Sequence, residues 1–239
     1  MKELSIVIPI LNEAKNINQL IPEINKIKKK IRLNRLEVLL IDDNSHDNIK
    51  NVVTRLRKKY SYLKLFIRKN KKKDLSKSCI EGFNKAKYKN ILVMDGDLQH
   101  PPQYIEKMYN VFINQKCDFV IGSRDLLKRK NYGLSKIRRL FSIILIIMIN
   151  FLLGNKTKDP MSGFFIFKKN FFILNKRNVY SKGFKILLNL LYSTKKTMKI
   201  YEQTIVFEKR FNNKSKMNYK VLYHIIISII YYFFLNFIK

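Results

Sequence analysis

Acidic side chains are scarce in these 239 residues: 17 Asp and Glu stand against 49 Lys and Arg, a formal net charge of +32. So large an excess attracts polyanions, whether nucleic acid, anionic lipid or a phosphorylated substrate, and does not choose among them. Lys, Asn and Ile share A/T-rich codons, so base composition is a second source of the same lysines. Cysteine is rarer still. Cys79 and Cys117 stand alone without metal-ligand spacing, which excludes a disulfide framework and a zinc site and fits a reducing compartment. No leader is expected either. Residues 1–4 run straight into an apolar strand-like segment, with no room for the basic, apolar and small-residue zones of a signal peptide. This part of the chain is expected to stay in the cytoplasm.

The length suits one α/β domain with a full core, plus appendages. In the first half, short apolar runs alternate with helical periodicity, the pattern of a parallel sheet covered by helices. Residues 5–9, 37–41, 63–67, 91–94 and 118–121 read as strands. Ile17, Leu20, Ile21, Ile24 and Ile27 fall at helical spacing and would face that sheet. Pro101 and Pro102 open a further helix where a missing N–H costs little, and Ile105, Met108, Tyr109 and Phe112 are its buried stripe. Ligands of such sheets sit beyond the carboxyl ends of the strands.

The second half carries two long apolar stretches. Residues 140–153, interrupted only by Ser142 and Asn150, are short for a bilayer and read as a core helix or one lying in the membrane interface. Residues 221–238 carry no formal charge and reach the lower end of the spanning range. They are expected to form a membrane-spanning or deeply inserted helix, with a docked core helix as the alternative. Lys214, Lys216 and Lys220 precede this stretch and only Lys239 follows it, which places the preceding domain on the cytoplasmic side.

Residues 91–97 form a buried-strand run that ends in Asp95-Gly96-Asp97. Two carboxylates around a glycine suit a hard divalent cation, Mg²⁺ or Mn²⁺, and the glycine lets a ligand approach the backbone. Such pairs are also common in turns. Asp97 is expected to be an exposed strand-end carboxylate that adds little to packing. Asn12 has the character of a helix N-cap, and residues 42–45 that of a turn.

The continuation Leu98-Gln99-His100-Pro101-Pro102 is more specific. Together with Pro9-Ile10-Leu11-Asn12-Glu13 and Asp42-Asp43-Asn44-Ser45 at the first two strand ends, it resembles glycosyltransferase family 2. The finer likeness is to the branch of dolichol-phosphate mannosyltransferases and polyprenyl-phosphate glycosyltransferases. Asp74-Leu75-Ser76, Glu81-Gly82-Phe83, Gly122-Ser123-Arg124 and Asp159-Pro160-Met161-Ser162-Gly163-Phe164 extend it over roughly residues 4–220.

The resemblance implies a GT-A, Rossmann-like α/β fold: a mixed, mostly parallel sheet flanked by helices, with an interfacial helix and a C-terminal hydrophobic helix. Residues 1–218 would be the catalytic domain, including a membrane-interface helix at 137–153. Residues 219–239 would be a membrane-associated helix holding the protein at the cytoplasmic face.

By the same resemblance Pro9, Leu11, Glu13, Ile41 and Asp43 hold the nucleoside of a nucleotide sugar, and Gly96 lies close to the nucleotide. Carboxylates accept hydrogen bonds from base or ribose, so Glu13 and Asp43 are chemically suitable. Asp95, Asp97 and Gln99 would surround Mg²⁺ or Mn²⁺, which assists departure of the diphosphate. Arg210 and Lys216 would reach the donor diphosphate, in a segment where Asn213 replaces the family's glycine. Asn tolerates left-handed backbone better than most residues. Arg124, Arg138 and Ser142 would hold the acceptor phosphate, with Arg138 and Ser142 on one helix face where the apolar stretch begins. Arg124 thus joins Asp95 and Asp97 as a catalytic residue. His100 is expected to be structural. A second departure is the run Arg68-Lys69-Asn70-Lys71-Lys72-Lys73-Asp74, where the family commonly carries glycines.

The implied reaction is inverting transfer of one hexose, mannose from GDP-mannose first, to a polyprenyl phosphate. UDP-glucose or UDP-GlcNAc as donor is the alternative. A processive polysaccharide synthase of the same superfamily carries a Gln-x-x-Arg-Trp segment, and this chain has no Trp. A nucleic-acid-binding module would need a basic stripe interleaved with aromatics, whereas the lysines here are scattered and the organised features are acidic. No nucleic-acid partner is therefore expected, and no oligomeric state is indicated.

Overall fold

The computed structural model describes residues 2–69, 71–124, 136–208 and 219–238. In chain order it holds β1 (Glu3–Ile10), α1 (Ala14–Lys30), β2 (Arg35–Asp42), α2 (Ile49–Arg57), β3 (Leu63–Ile67), α3 (Leu75–Lys85), β4 (Asn90–Val93) and α4 (Tyr104–Asn114). There follow β5 (Phe119–Arg124), α5 (Lys136–Leu153), β6 (Phe165–Lys168), α6 (Lys169–Asn175), α7 (Ile186–Leu191), β7 (Ile200–Ile205) and α8 (Tyr219–Ile238).

The strands make one sheet in the order β3-β2-β1-β4-β6-β5-β7. All pairings are parallel except those of β6, which runs antiparallel to both β4 and β5. The expected mixed, mostly parallel sheet is thus found. Strand order reverses between β1 and β4, which opens a crevice at their carboxyl ends.

Both helical stripes expected from periodicity pack as anticipated. Ile17, Leu20, Ile21 and Ile24 of α1 join Ile105, Met108, Tyr109 and Phe112 of α4 on one sheet face. α4 begins at Tyr104, two residues after the prolines, whose carbonyls accept from Tyr104 and Ile105. Asn12 does not cap α1. Its backbone takes φ 59°, its N–H donates to Ser45 Oγ at 2.8 Å and its side chain accepts from the His46 N–H at 2.9 Å. The free N–H of Ala14 is met instead by Asp47 at 2.7 Å, so the loop after β2 caps α1 from outside.

The opposite face carries α3 and α5 to α8. Every residue of the six-residue α7 is buried, which requires a further layer outside it. Residues 221–238 supply part of that layer. Among the described residues no helix is long and apolar enough to cross a membrane. α8 docks instead through Val221, Ile225, Ile229 and Tyr232. The reason is legible in the spacing: His224, Ser228 and Tyr232 recur every four residues, so its polar groups share the side turned to the protein. The Tyr232 hydroxyl accepts from the Tyr180 N–H at 2.8 Å and donates to the Asn189 carbonyl at 2.9 Å. Tyr232→Phe strands both buried groups and is expected to cost on the order of 2–3 kcal/mol in chemical denaturation.

α5 packs against α8 and buries Ser142, Leu145, Ile149 and Leu153. Leu140, Phe141, Ile144, Ile147 and Phe151 of α5, and Tyr223, Ile226, Ile230 and Phe234 of α8, remain exposed.

Candidate active site

A cleft of about 480 Å³ opens where β1 and β4 end. Pro9, Leu11, Glu13, Asp43, Asp95, Gly96, Asp97, Gln99 and Arg124 all line it, so most of the expected site residues are brought together. Ile41 is not among them. Its side chain is fully buried in β2 beneath Gly82, where an added Cβ would come within 3.3 Å of it. Ser142 is buried on α5 and is not among the lining residues. Arg138 falls in the first turn of α5 with its side chain outside what the structure describes, and Arg210 and Lys216 lie outside the described residues.

The metal-type loop is shaped by its backbone. Leu98 takes φ 63°, a left-handed conformation that a bulky side chain rarely adopts. Such a residue stores on the order of 1–3 kcal/mol of strain and persists only where its surroundings enforce it. The turn lets Asp97 Oδ1 accept from the Gln99 N–H at 3.2 Å. Asp97 is thereby 5% exposed, so the expectation of an exposed carboxylate is corrected. Gln99 Nε2 donates to the Glu208 carbonyl at 3.0 Å, and the Glu208 N–H returns to the Gln99 carbonyl at 3.1 Å.

His100 buttresses this loop. Its Nδ1 accepts from the Asp95 N–H at 3.2 Å, and its ring stacks on Phe164 at 5.2 Å. Burial pushes its pKa down to about 4, so it is a neutral acceptor near pH 7. The structural role expected of His100 fits that geometry.

Glu13 Oε2 accepts from Asn16 at 2.6 Å. Asp43 is ion-paired with buried Arg68 and accepts the Asp74 N–H at 2.7 Å. Arg68 also donates to Ser78 at 2.8 Å and lies 3.5 Å from Glu81. Its role is invisible in sequence, where it is simply the first of a basic run. Burial marks it out: a charge is kept from water only when it is paired.

Across the cleft, Arg124 makes two bonds of 2.7 Å to Asp159. Burial pulls the guanidinium pKa down, but Asp159 more than restores it; burial pushes Asp159 up, but Arg124 holds it below the usual carboxylate range. Both are therefore charged. Asp159 belonged to a motif segment in sequence, and its partner becomes visible only in three dimensions.

Among the described residues no three His, Cys, Asp or Glu cluster as a ready-made metal cage. The donor set fits the other arrangement, in which one or two carboxylates hold Mg²⁺ or Mn²⁺ and substrate phosphates complete the shell. Gly163 sits directly against Asp95. A Cβ there would lie 2.9 Å from Asp95 Oδ2 and 3.2 Å from His100. Gly163→Ala is expected to displace the carboxylate and lower turnover about tenfold or more, with thermal stability little changed. Initial rates alongside melting curves read both quantities.

Known proteins resemble this chain along most of its length. The chain spans 92% of itself and 61% of the dolichol-phosphate mannosyltransferase of Pyrococcus furiosus, at 32% identity over 223 residues. Against the dolichol-phosphate mannosyltransferase of Saccharomyces cerevisiae it is 30% identical over 229 residues, 92% of this chain and 83% of the relative. Its fold is similar to that of glucosyl-3-phosphoglycerate synthase from Mycobacterium tuberculosis, solved in complex with Mn²⁺, UDP and glucosyl-3-phosphoglycerate. The TM-score is 0.72 at 14% identity, covering 97% of this chain and 80% of that one. Residues 5–174 match Glycosyl transferase family 2, and the chain belongs to that family.

Proposed function

We propose that this cleft transfers one hexose, with inversion, from a nucleotide sugar to a polyprenyl phosphate, with GDP-mannose as the preferred donor. The observation that carries the reading is the convergence of Glu13, Asp43, Asp95, Asp97 and Arg124 on one cleft at the sheet's switch point. The names of the relatives from Pyrococcus and Saccharomyces favour a lipid-phosphate acceptor and mannose. The structural relative, solved with Mn²⁺ and UDP, has a fold that accommodates both.

In this reading Glu13 and Asp43 orient the nucleoside, the latter held in place by Arg68 and the Asp74 N–H. Asp95 and Asp97 hold Mg²⁺ or Mn²⁺, which when bound supplies positive charge against the departing diphosphate. Gln99 would join them through its side-chain oxygen, and His100 fixes the carboxylates' loop. The acceptor needs no general base, because a phosphate monoester is largely ionised near neutral pH, its second pKa being about 6. A phosphate oxygen forms the new bond to the anomeric carbon as the bond to the diphosphate breaks. Arg124 lies at the acceptor end, with Arg138, Arg210 and Lys216 as further phosphate contacts.

The exposed apolar faces of α5 and α8 then rest in the interfacial layer of the cytoplasmic leaflet, and the basic excess is drawn to anionic headgroups. Residues 1–218 act as the catalytic domain and 219–239 as the membrane-associated helix.

The test is a donor panel: purified protein with Mg²⁺ or Mn²⁺, a short polyprenyl phosphate, and GDP-mannose, UDP-glucose or UDP-GlcNAc in turn. Lipid-linked mannose from GDP-mannose is expected. Product only from a UDP-sugar would replace the donor, and no lipid-linked product from any of them would remove the reading.

A further inference from the structure

Lys185 belongs to none of the groups assigned so far, yet it lines the cleft immediately before α7. Its ammonium donates to the Met161 carbonyl at 3.1 Å. Met161 lies in the short segment between Asp159, which grips Arg124 at 2.7 Å, and Gly163, which abuts Asp95. Lys185 and Arg124 therefore flank one segment next to the metal-type carboxylates. Two cationic side chains, Arg124 and Lys185, thus meet at this end of the cleft.

The surroundings indicate which anion belongs there. Phe184 and Val221 line the cleft beside Lys185, and Val221 starts the docked face of α8, whose outer face exposes Tyr223 and Ile226. A cation beside an apolar wall that continues onto an exposed apolar helix matches a phosphate esterified to a hydrocarbon chain. A nucleotide's diphosphate has no tail to place there.

The loop is also fixed in advance. The Gly183 N–H donates to Asp74 Oδ2 at 2.8 Å, the Gly183 carbonyl accepts from the Ser76 N–H at 2.9 Å, and a Cβ added at Gly183 would lie 3.0 Å from His224 Cβ of α8. Gly183 takes φ 100°, open to glycine and strained for other residues.

We propose that Lys185 binds the phosphate monoester of the lipid acceptor, together with Arg124, while its neighbours Phe184 and Val221 start the path of the lipid tail. This rests on the polyprenyl-phosphate reading above. Lys185→Gln keeps a donor for the Met161 carbonyl and removes the charge, and Lys185→Arg keeps the charge. With the full chain and phytanyl phosphate as the varied acceptor, Lys185→Gln is expected to raise the acceptor KM about tenfold to a hundredfold, the range of one charge-assisted hydrogen bond. The donor KM should stay within about twofold of wild type, and Lys185→Arg should recover most of the loss. A rise in the donor KM with the acceptor KM unchanged would overturn the assignment, as would unaltered kinetics. Calorimetric binding of the donor nucleotide by Lys185→Gln verifies that the cleft is intact. If wild type itself transfers no sugar to phytanyl phosphate, the functional reading falls and Lys185 with it. If wild type transfers and Lys185→Gln matches it, only the assignment of Lys185 falls.

Discussion

Asp97→Asn is expected to lower sugar transfer by about 10³-fold, the scale of losing several kcal/mol of leaving-group stabilisation. The substitution is nearly isosteric, and its carbonyl oxygen can still accept from the Gln99 N–H that now bonds Asp97 Oδ1. Stability should therefore change by less than about 1 kcal/mol. Steady-state rates with Mn²⁺ varied, read beside a denaturation curve, separate the two. Because Asp97 is buried rather than exposed, Asp97→Ala would confuse lost chemistry with lost packing.

The second large effect concerns stability. Asp159 is fully buried and Arg124 nearly so, and removing one partner of such a pair leaves an uncompensated charge in the interior. Asp159→Ala is expected to cost about 3–5 kcal/mol and to lower Tm by roughly 10 °C for a chain of this size. Arg124→Met combined with Asp159→Leu should regain much of that stability without regaining activity, since it restores packing and not the cation. The pH dependence follows from the same pair. Burial raises the Asp159 pKa, but Arg124 holds the folded value below that of the unfolded chain. Its contribution is thus fully present above an unfolded carboxylate pKa of about 3.9 and is lost as pH falls through the lower folded value. Acid unfolding of Asp159→Ala should accordingly lack that component of the stability loss below about pH 4.

Much of this was legible in the sequence. β1 to β5 appear as apolar runs, and the stripes of α1 and α4 follow a 3.6-residue period, because each buries one face against a sheet. β6 and β7 are not legible in this way. β6 is four residues leading directly into α6, and its antiparallel insertion between β4 and β5 has no local signature. α7 is too short for periodicity and buried all round, so it shows no stripe. The hydrophobicity of α8 suggests a span, whereas the four-residue recurrence of His224, Ser228 and Tyr232 marks the side that turns toward the protein.

The site divides in the same way. Its carboxylates stand at strand ends and could be named from motif positions. Their supports could not: Arg68 for Asp43, Asp159 for Arg124 and Gly163 for Asp95 all come from distant parts of the chain. Asn12 shows the converse error. Its residue type suits an N-cap, yet the left-handed turn at the end of β1 commits its side chain to the loop after β2, and Asp47 takes over the capping.

The most direct test of the central claim is mass spectrometry of the lipid product formed from isotopically labelled GDP-mannose and Mn²⁺ with polyprenyl phosphate, beside a parallel reaction with the corresponding polyprenol. One labelled hexose on the lipid phosphate, none on the polyprenol, and loss of the product on chelation or with Asp97→Asn is the predicted result. Equal labelling of the polyprenol, or a lipid-phosphate product that Asp97→Asn leaves undiminished, would contradict it.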